Sequence, residues 1–256
     1  MDQIIHVKSY PEPAVNRREI LRYMRCDSGG SDDEKINSLL DECLAELLPE
    51  LVYKVCWREF AVAAHETDNP SVSLRLTAPL RAGEPEASEC GAKAVGSLDL
   101  GFMVTESHGL ARNLCGCNKL VLFAATIGLA PDRLIAKYGR LSPVKALCMQ
   151  AIGAERIESL CDMFCAELAE AYATEGLSLR PRFSPGYGDL PLEAQELVFK
   201  ALDCHRKIGL SLNDSLLMSP SKSVTAIVGL CPADAQAARG TSCSSCDKAD
   251  CLFRKN

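Results

Sequence analysis

The sequence predicts an α+β fold, a mixed α/β domain in which helices and strands interleave, and three observations predict it. Residues 33–48 carry an apolar stripe at helical spacing, residues 120–128 are an almost unbroken apolar run, and residues 142–174 carry a long helical pattern. No internal repeat interrupts this alternation.

Taken in order, residues 19–25 read as a short helix and 25–34 as a polar loop containing Gly29 and Gly30. Within 33–48, Ile36, Leu39, Leu40, Cys43, Leu44 and Leu47 fall on one helix face. Pro49 and the run Leu51, Val52, Tyr53, Lys54, Val55, Cys56 predict a strand that continues less clearly toward Ala64. Val and Leu alternate with polar residues over 71–76, the pattern of a half-buried strand. Residues 78–96, rich in Pro, Gly, Glu and Ala, read as a loop or insertion. Residues 110–114 predict a short helix leading into Cys115-Gly116-Cys117, a spacing too tight to share a tetrahedral metal and read as a turn. The run 120–128 predicts a central buried strand ended by Gly128. Pro131 then starts a helix where a missing amide hydrogen does least harm, and Ser142-Pro143 starts the next. That second helix runs to about Thr174, stops before Gly176, and is apolar on most sides, which places it in the middle of the domain. Residues 224–228 are the last strand. The expected organisation is an N-terminal helix-and-strand subregion over 1–100, a core over 101–232 and a Cys-rich tail over 233–256.

Of the 256 residues 47% are hydrophobic and 24% charged, the balance of a soluble globular protein with a sizeable core. A net charge of −6 gives no support to nucleic-acid binding, which needs a basic face. No stretch reaches the roughly 18–20 apolar residues of a membrane span, and the first residues lack a signal-peptide arrangement. The expected location is the cytoplasm. Fourteen cysteines without a secretion signal argue against a disulfide scaffold. Cys148, Cys161 and Cys165 lie in apolar patterns, where a reduced cysteine is a small hydrophobe.

The densest punctuation is Arg180-Pro181-Arg182-Phe183-Ser184-Pro185-Gly186-Tyr187-Gly188-Asp189. Pro185 fixes its own φ and keeps Ser184 extended, while Gly186 permits a sharp bend or a close backbone approach. Such a segment is a rigid connector or a platform for a flat heterocycle, with Arg182 a planar fork suited to a carboxylate. Upstream, Glu158 and Asp162 stand one helical turn apart and share a face. Two carboxylates there mark a solvated face, ion pairing with Arg156 or Arg182, or a site for a cationic ligand. In the tail, Cys243, Cys246 and Cys251 cluster in polar sequence, with Cys231 upstream as a possible fourth thiolate. The tail is then either a segment of unligated thiols or a clamp for zinc or an iron–sulfur cluster. His6, His65, His108 and His205 show no ligand spacing, and no catalytic triad, P-loop or Rossmann fingerprint appears.

The order Arg182-x-x-Pro185-Gly186-Tyr187, followed by Met218-Ser219-Pro220-Ser221-Lys222-Ser223-Val224-Thr225, resembles the activation domain of cobalamin-dependent methionine synthase, most clearly over 150–232. The resemblance implies a twisted, mainly antiparallel sheet flanked by helices, with one helix over 192–208 between the two motifs. It implies an S-adenosylmethionine loop in which Arg182, Ser184, Gly186 and Tyr187 bind the ligand, Ser184 through backbone groups at the adenine. Glu158 and Asp162 would meet the ligand's positive end. Tyr187 would stand between the ligand and a docked corrinoid, the position assigned to catalysis. The implied role is that of a stand-alone subunit for reductive reactivation: S-adenosylmethionine supplies a methyl group to cob(II)alamin on a corrinoid-bearing methionine synthase chain. An electron donor such as a flavodoxin or ferredoxin supplies the electron. A corrinoid-protein partner that does not use S-adenosylmethionine is the alternative. Three departures stand out: Ser219 replaces the family's tryptophan, Gln236-Ala237 fall where it has a tyrosine pair, and the acidic helix lies closer to the loop.

Overall fold

The structure, a computed structural model, describes residues 4–26, 34–61, 98–117 and 119–233. The Gly29-Gly30 loop, the strand expected at 71–76, the loop at 78–96, His65, the Gln236-Ala237 position and Cys243, Cys246 and Cys251 lie outside the described residues. In chain order the elements are β1 (His6–Ser9), α1 (Arg17–Tyr23), α2 (Glu34–Leu47), β2 (Lys54–Ala61), β3 (Leu98–Asp99), β4 (Val104–Thr105), α3 (His108–Asn113) and β5 (Lys119–Thr126). There follow α4 (Ala130–Leu141), α5 (Pro143–Ala173), β6 (Leu177–Leu179), α6 (Ala194–Leu202), α7 (Cys204–Ile208), β7 (Ser211–Leu212), β8 (Met218–Ser219) and β9 (Ser223–Pro232).

Five strands form one sheet in the order β1-β2-β5-β9-β6, and every neighbouring pair is antiparallel. The expected fold class, a mainly antiparallel sheet flanked by helices, is the one observed. Side chains alternate along a strand, so the two central strands feed two cores. Val121, Phe123, Ala125, Ala226, Val228 and Leu230 meet Ile157, Leu160, Phe164 and Leu168 of α5. On the other face, Leu120, Leu122, Ala124, Ile227 and Cys231 meet Leu110 and Leu114 near α3, Val198 and Leu202 of α6, and Ile208 of α7. A third cluster packs Ile20, Leu40, Cys43, Leu44 and Leu47 on Cys148, Met149 and Ile152 of α5.

The 31 residues of α5 span about 46 Å at 1.5 Å per residue, which lets one helix serve two cores. Its first half packs on α1 and α2 and its second half on the sheet. This explains why apolar residues surround it. Ser142 caps its start by accepting from the Lys145 amide, and Pro143 occupies the first turn. Arg156, wholly buried, donates to Glu155 at 2.5 and 2.6 Å and to the carbonyls of Pro13 and Ala14 at 2.6 and 2.7 Å. Glu155 in turn accepts from the Asn16 amide. A fully bonded buried ion pair thus staples residues 13–16 to α5.

Three expectations shift in detail. β2 begins at Lys54, not Leu51, because a 3₁₀ turn over Leu48–Glu50 delays the ladder, whose first pair with β5 is Lys54 with Thr126. The helix expected over 192–208 is two, α6 and α7, broken at Asp203, whose φ of 49° is left-handed. The last strand runs on to Pro232, because β6 pairs with its end. Among the described residues nine cysteines are free thiols and Cys115 is disulfide-bonded. No described helix is long and apolar enough to cross a membrane.

Candidate functional site: a cleft at the bulged sheet edge

The segment after β6 continues along the sheet edge, but not in register. Leu179 faces Leu230, and Phe183 forms a bridge with Ile227. Four steps on one strand answer three on the other, so a one-residue bulge lies between them, where Pro181 has no amide to lose from the ladder. The bulge divides the segment's side chains between the two faces of the sheet. Phe183 packs against the core that contains Ile227. Arg182 turns instead onto α5, where its Nη2 donates to Glu158 Oε2 and Asp162 Oδ1, each at 2.9 Å.

Beyond the bulge, Ser184-Pro185-Gly186-Tyr187 makes a tight turn closed by the Tyr187 amide on the Ser184 carbonyl at 3.0 Å. Proline at the second position and Gly186 at the third, with φ 81°, are what a type II turn requires. The Gly186 amide bonds the Leu190 carbonyl. The turn leaves Tyr187 69% exposed, its ring 6.4 Å from that of Phe183 in an edge-on arrangement.

Between this segment and α3 lies a cleft of about 630 Å³. Its walls include Gly109, Arg112 and Asn113 of α3 and Arg180, Phe183, Tyr187 and Asp189 of the bulged segment. Asp189 holds the walls together: its carboxylate accepts from the Ser107 hydroxyl at 2.5 Å and from the Gly109 amide at 3.1 Å. Burial works against that charge, but these bonds, with further backbone amides, hold the carboxyl below its usual value. Gly109 leaves room for this contact: a Cβ there would lie 2.8 Å from Asp189 Oδ1 and 3.1 Å from Phe183 Cζ. Asn113 donates to the Pro181 carbonyl at 3.1 Å, which ties α3 to the bulge. Asn113 Oδ1 and Arg180 Nε are buried and make no hydrogen bond among the described residues.

Of the residues expected at the site, Arg182, Glu158 and Asp162 come together, but on the α5 side and with one another. Burial lowers the Arg182 pKa, and the adjacent Cys161, Glu158, Asp162 and Cys165 more than reverse this, so the guanidinium stays charged. Arg156 pairs with Glu155 and takes no part. Tyr187 and Arg182 line the cleft; Ser184 and Gly186 build its turn. Cys231 is buried on β9, its sulfur 3.5 Å from Ser178 Oγ. Among the described residues no group of three or more His, Cys, Asp or Glu side chains could hold a metal ion. Gly109, Arg112, Asn113 and Asp189 are the functional candidates that the spacing did not reveal. The nearest signal was Ser107, an N-cap residue just before the short helix.

No family model matches the chain, and no curated protein sequence matches it significantly. Among solved structures, the crystal structure of the MetH reactivation domain bound to AdoHcy has a similar fold. The TM-score is 0.53 at 12% sequence identity, over 90% of this chain and 79% of that one. At that identity the likeness is one of fold: a five-stranded antiparallel sheet flanked by helices.

Proposed function

We propose that the chain binds S-adenosylmethionine in the cleft between α3 and the bulged segment and serves the reductive reactivation of a corrinoid-bearing methionine synthase chain. The observation that carries this reading is the position of the Arg182-to-Tyr187 motif. It is built as a bulge and a type II turn at the edge of a sheet whose fold is that of a reactivation domain crystallised with AdoHcy. A volume near 630 Å³ falls within the ~300–1,000 Å³ usual for small-molecule sites. Phe183 and Tyr187 offer apolar surface to a heterocycle.

When bound, the ligand's sulfonium supplies the methyl group that, with one electron from a donor such as a flavodoxin or ferredoxin, returns cob(II)alamin on the partner to methylcobalamin and leaves S-adenosylhomocysteine. The chain's own share is positioning. The bulge and turn shape the cleft wall, and the exposed Tyr187 on that wall is the residue assigned to face a docked partner. No side chain is needed as a nucleophile.

A second reading is a corrinoid-protein partner that does not use S-adenosylmethionine. It is favoured by the pairing of Glu158 and Asp162 with Arg182, which leaves neither carboxylate turned to a sulfonium. Incubation with a cob(II)alamin-loaded partner and a one-electron donor separates the two. The first reading predicts methylcobalamin and S-adenosylhomocysteine only when S-adenosylmethionine is present. Partner reactivation that does not depend on it supports the second. The cysteines of the tail, with or without Cys231, are assigned here to a metal clamp. Iron and zinc content after anaerobic purification tests that assignment, and a metal-free protein removes it.

A further inference from the structure

Resting on the S-adenosylmethionine reading, we infer that Arg112, not Arg182, holds the carboxylate of the ligand's amino-acid end, and that Arg182 is a positioning strut. The charged groups that line the cleft are Arg112, Arg180, Arg182 and Asp189. Three of them are engaged. Asp189 spends both carboxylate oxygens on Ser107 and Gly109. Arg182 spans Glu158 and Asp162 with a single nitrogen, on the far side of the bulge from α3. Arg180 turns its fork to the Cys115 carbonyl at 3.2 Å, and its Nε is buried. Arg112 is exposed in the last turn of α3, and its guanidinium makes no hydrogen bond or ion pair among the described residues. It is therefore the arginine of the three whose whole fork stands open to a carboxylate, since Arg180 and Arg182 each commit a nitrogen to the fold.

The two arginines then do different work. Arg182 commits its Nη2 to both acidic partners on α5, so a carboxylate in the cleft would meet only its remaining nitrogens, and a grip through the Nη2 edge would break those pairs. Kept in place, the same ion pairs pin the bulge to α5, and with it the Pro181 carbonyl that Asn113 grips. Arg112 faces the cleft from the opposite wall, with no such penalty. A guanidinium binds a carboxylate through two parallel bonds, and lysine reproduces the charge without the fork.

The test compares S-adenosylhomocysteine with 5′-methylthioadenosine, which keeps the nucleoside and sulfur but lacks the amino-acid end, by calorimetric titration of the full chain. With Arg112→Ala, S-adenosylhomocysteine should bind about ten- to hundredfold more weakly, the range expected when a hydrogen-bonded charge partner is removed. 5′-Methylthioadenosine should bind as to wild type, and Arg112→Lys should recover part of the loss. With Arg182→Ala, both ligands should weaken by the same factor, as the loss of a strut requires. Wild-type S-adenosylhomocysteine affinity in Arg112→Ala overturns the inference and leaves the S-adenosylmethionine reading standing. Equal weakening of both ligands by Arg112→Ala also overturns it, since Arg112 would then be shaping the cleft. A wild-type protein that binds neither ligand overturns the reading itself.

Discussion

Gly109 and Asp189 meet across the mouth of the cleft, the Gly109 amide 3.1 Å from both carboxylate oxygens of Asp189. Eighty residues separate them in sequence. Their contact joins α3 to the bulged segment, and the shape of the cleft depends on it. Neither residue type is chemically unusual; what matters is that a glycine lets the helix come close enough for a capping carboxylate to reach it.

Gly109→Ala tests that closeness. Its Cβ would stand 2.8 Å from Asp189 Oδ1 and 3.1 Å from Phe183 Cζ, so the carboxylate and the ring must shift, and the bond to the Gly109 amide is strained with them. The expected cost is about 1–3 kcal/mol of stability, the usual range for overpacking, read by urea denaturation. Ligand affinity should fall with it, because Phe183 and Asp189 both line the cleft.

Asp189 gives the protein a specific pH dependence. Its folded-state pKa lies below the usual value, whereas the unfolded carboxyl titrates near ~3.9. Its contribution to stability is therefore fully present above about pH 4 and is lost as the pH falls through the lower, folded-state value. The stability gap between wild type and Asp189→Asn, measured by urea midpoints over an acid series, should be constant near neutrality and narrow below about pH 4. A gap that stays constant into strong acid would show that the charge of Asp189 does nothing for the fold.

The buried pair of Arg156 and Glu155 predicts a larger effect. Arg156→Met removes one partner and leaves the Glu155 carboxylate buried at 2% exposure. The expected loss is about 3–5 kcal/mol. Glu155→Gln added to Arg156→Met should restore part of it by removing the stranded charge. A double variant less stable than the single one would show that the staple to residues 13–16, not the charge, dominates.

Much of this fold could be read along the chain, for a physical reason. The strands and α5 bury long apolar runs, and burial writes itself into local sequence as period or as continuity; residues 120–128 and 142–174 show both forms. The same rule hid the interior of α6–α7, where one left-handed residue, Asp203, breaks an otherwise continuous helical pattern. The Pro185-Gly186 turn was visible because its backbone angles demand those residue types. The cleft was not, because it is made by distant contacts: Ser107 and Gly109 with Asp189, and Asn113 with Pro181. Nor does the spacing of Glu158, Asp162 and Arg182 distinguish an ion-pair cluster from a ligand site. The bulge between Leu179 and Phe183 turns Arg182 to the α5 side, and only the register of β6 with β9 reveals it.

The measurement that tests the central claim most directly is calorimetric titration of the anaerobically purified protein with S-adenosylmethionine, beside the Gly109→Ala variant. The account predicts saturable one-site binding by the wild type and a clear loss of affinity in the variant. Absence of binding by a wild-type protein whose circular dichroism is that of a folded α+β domain would contradict it.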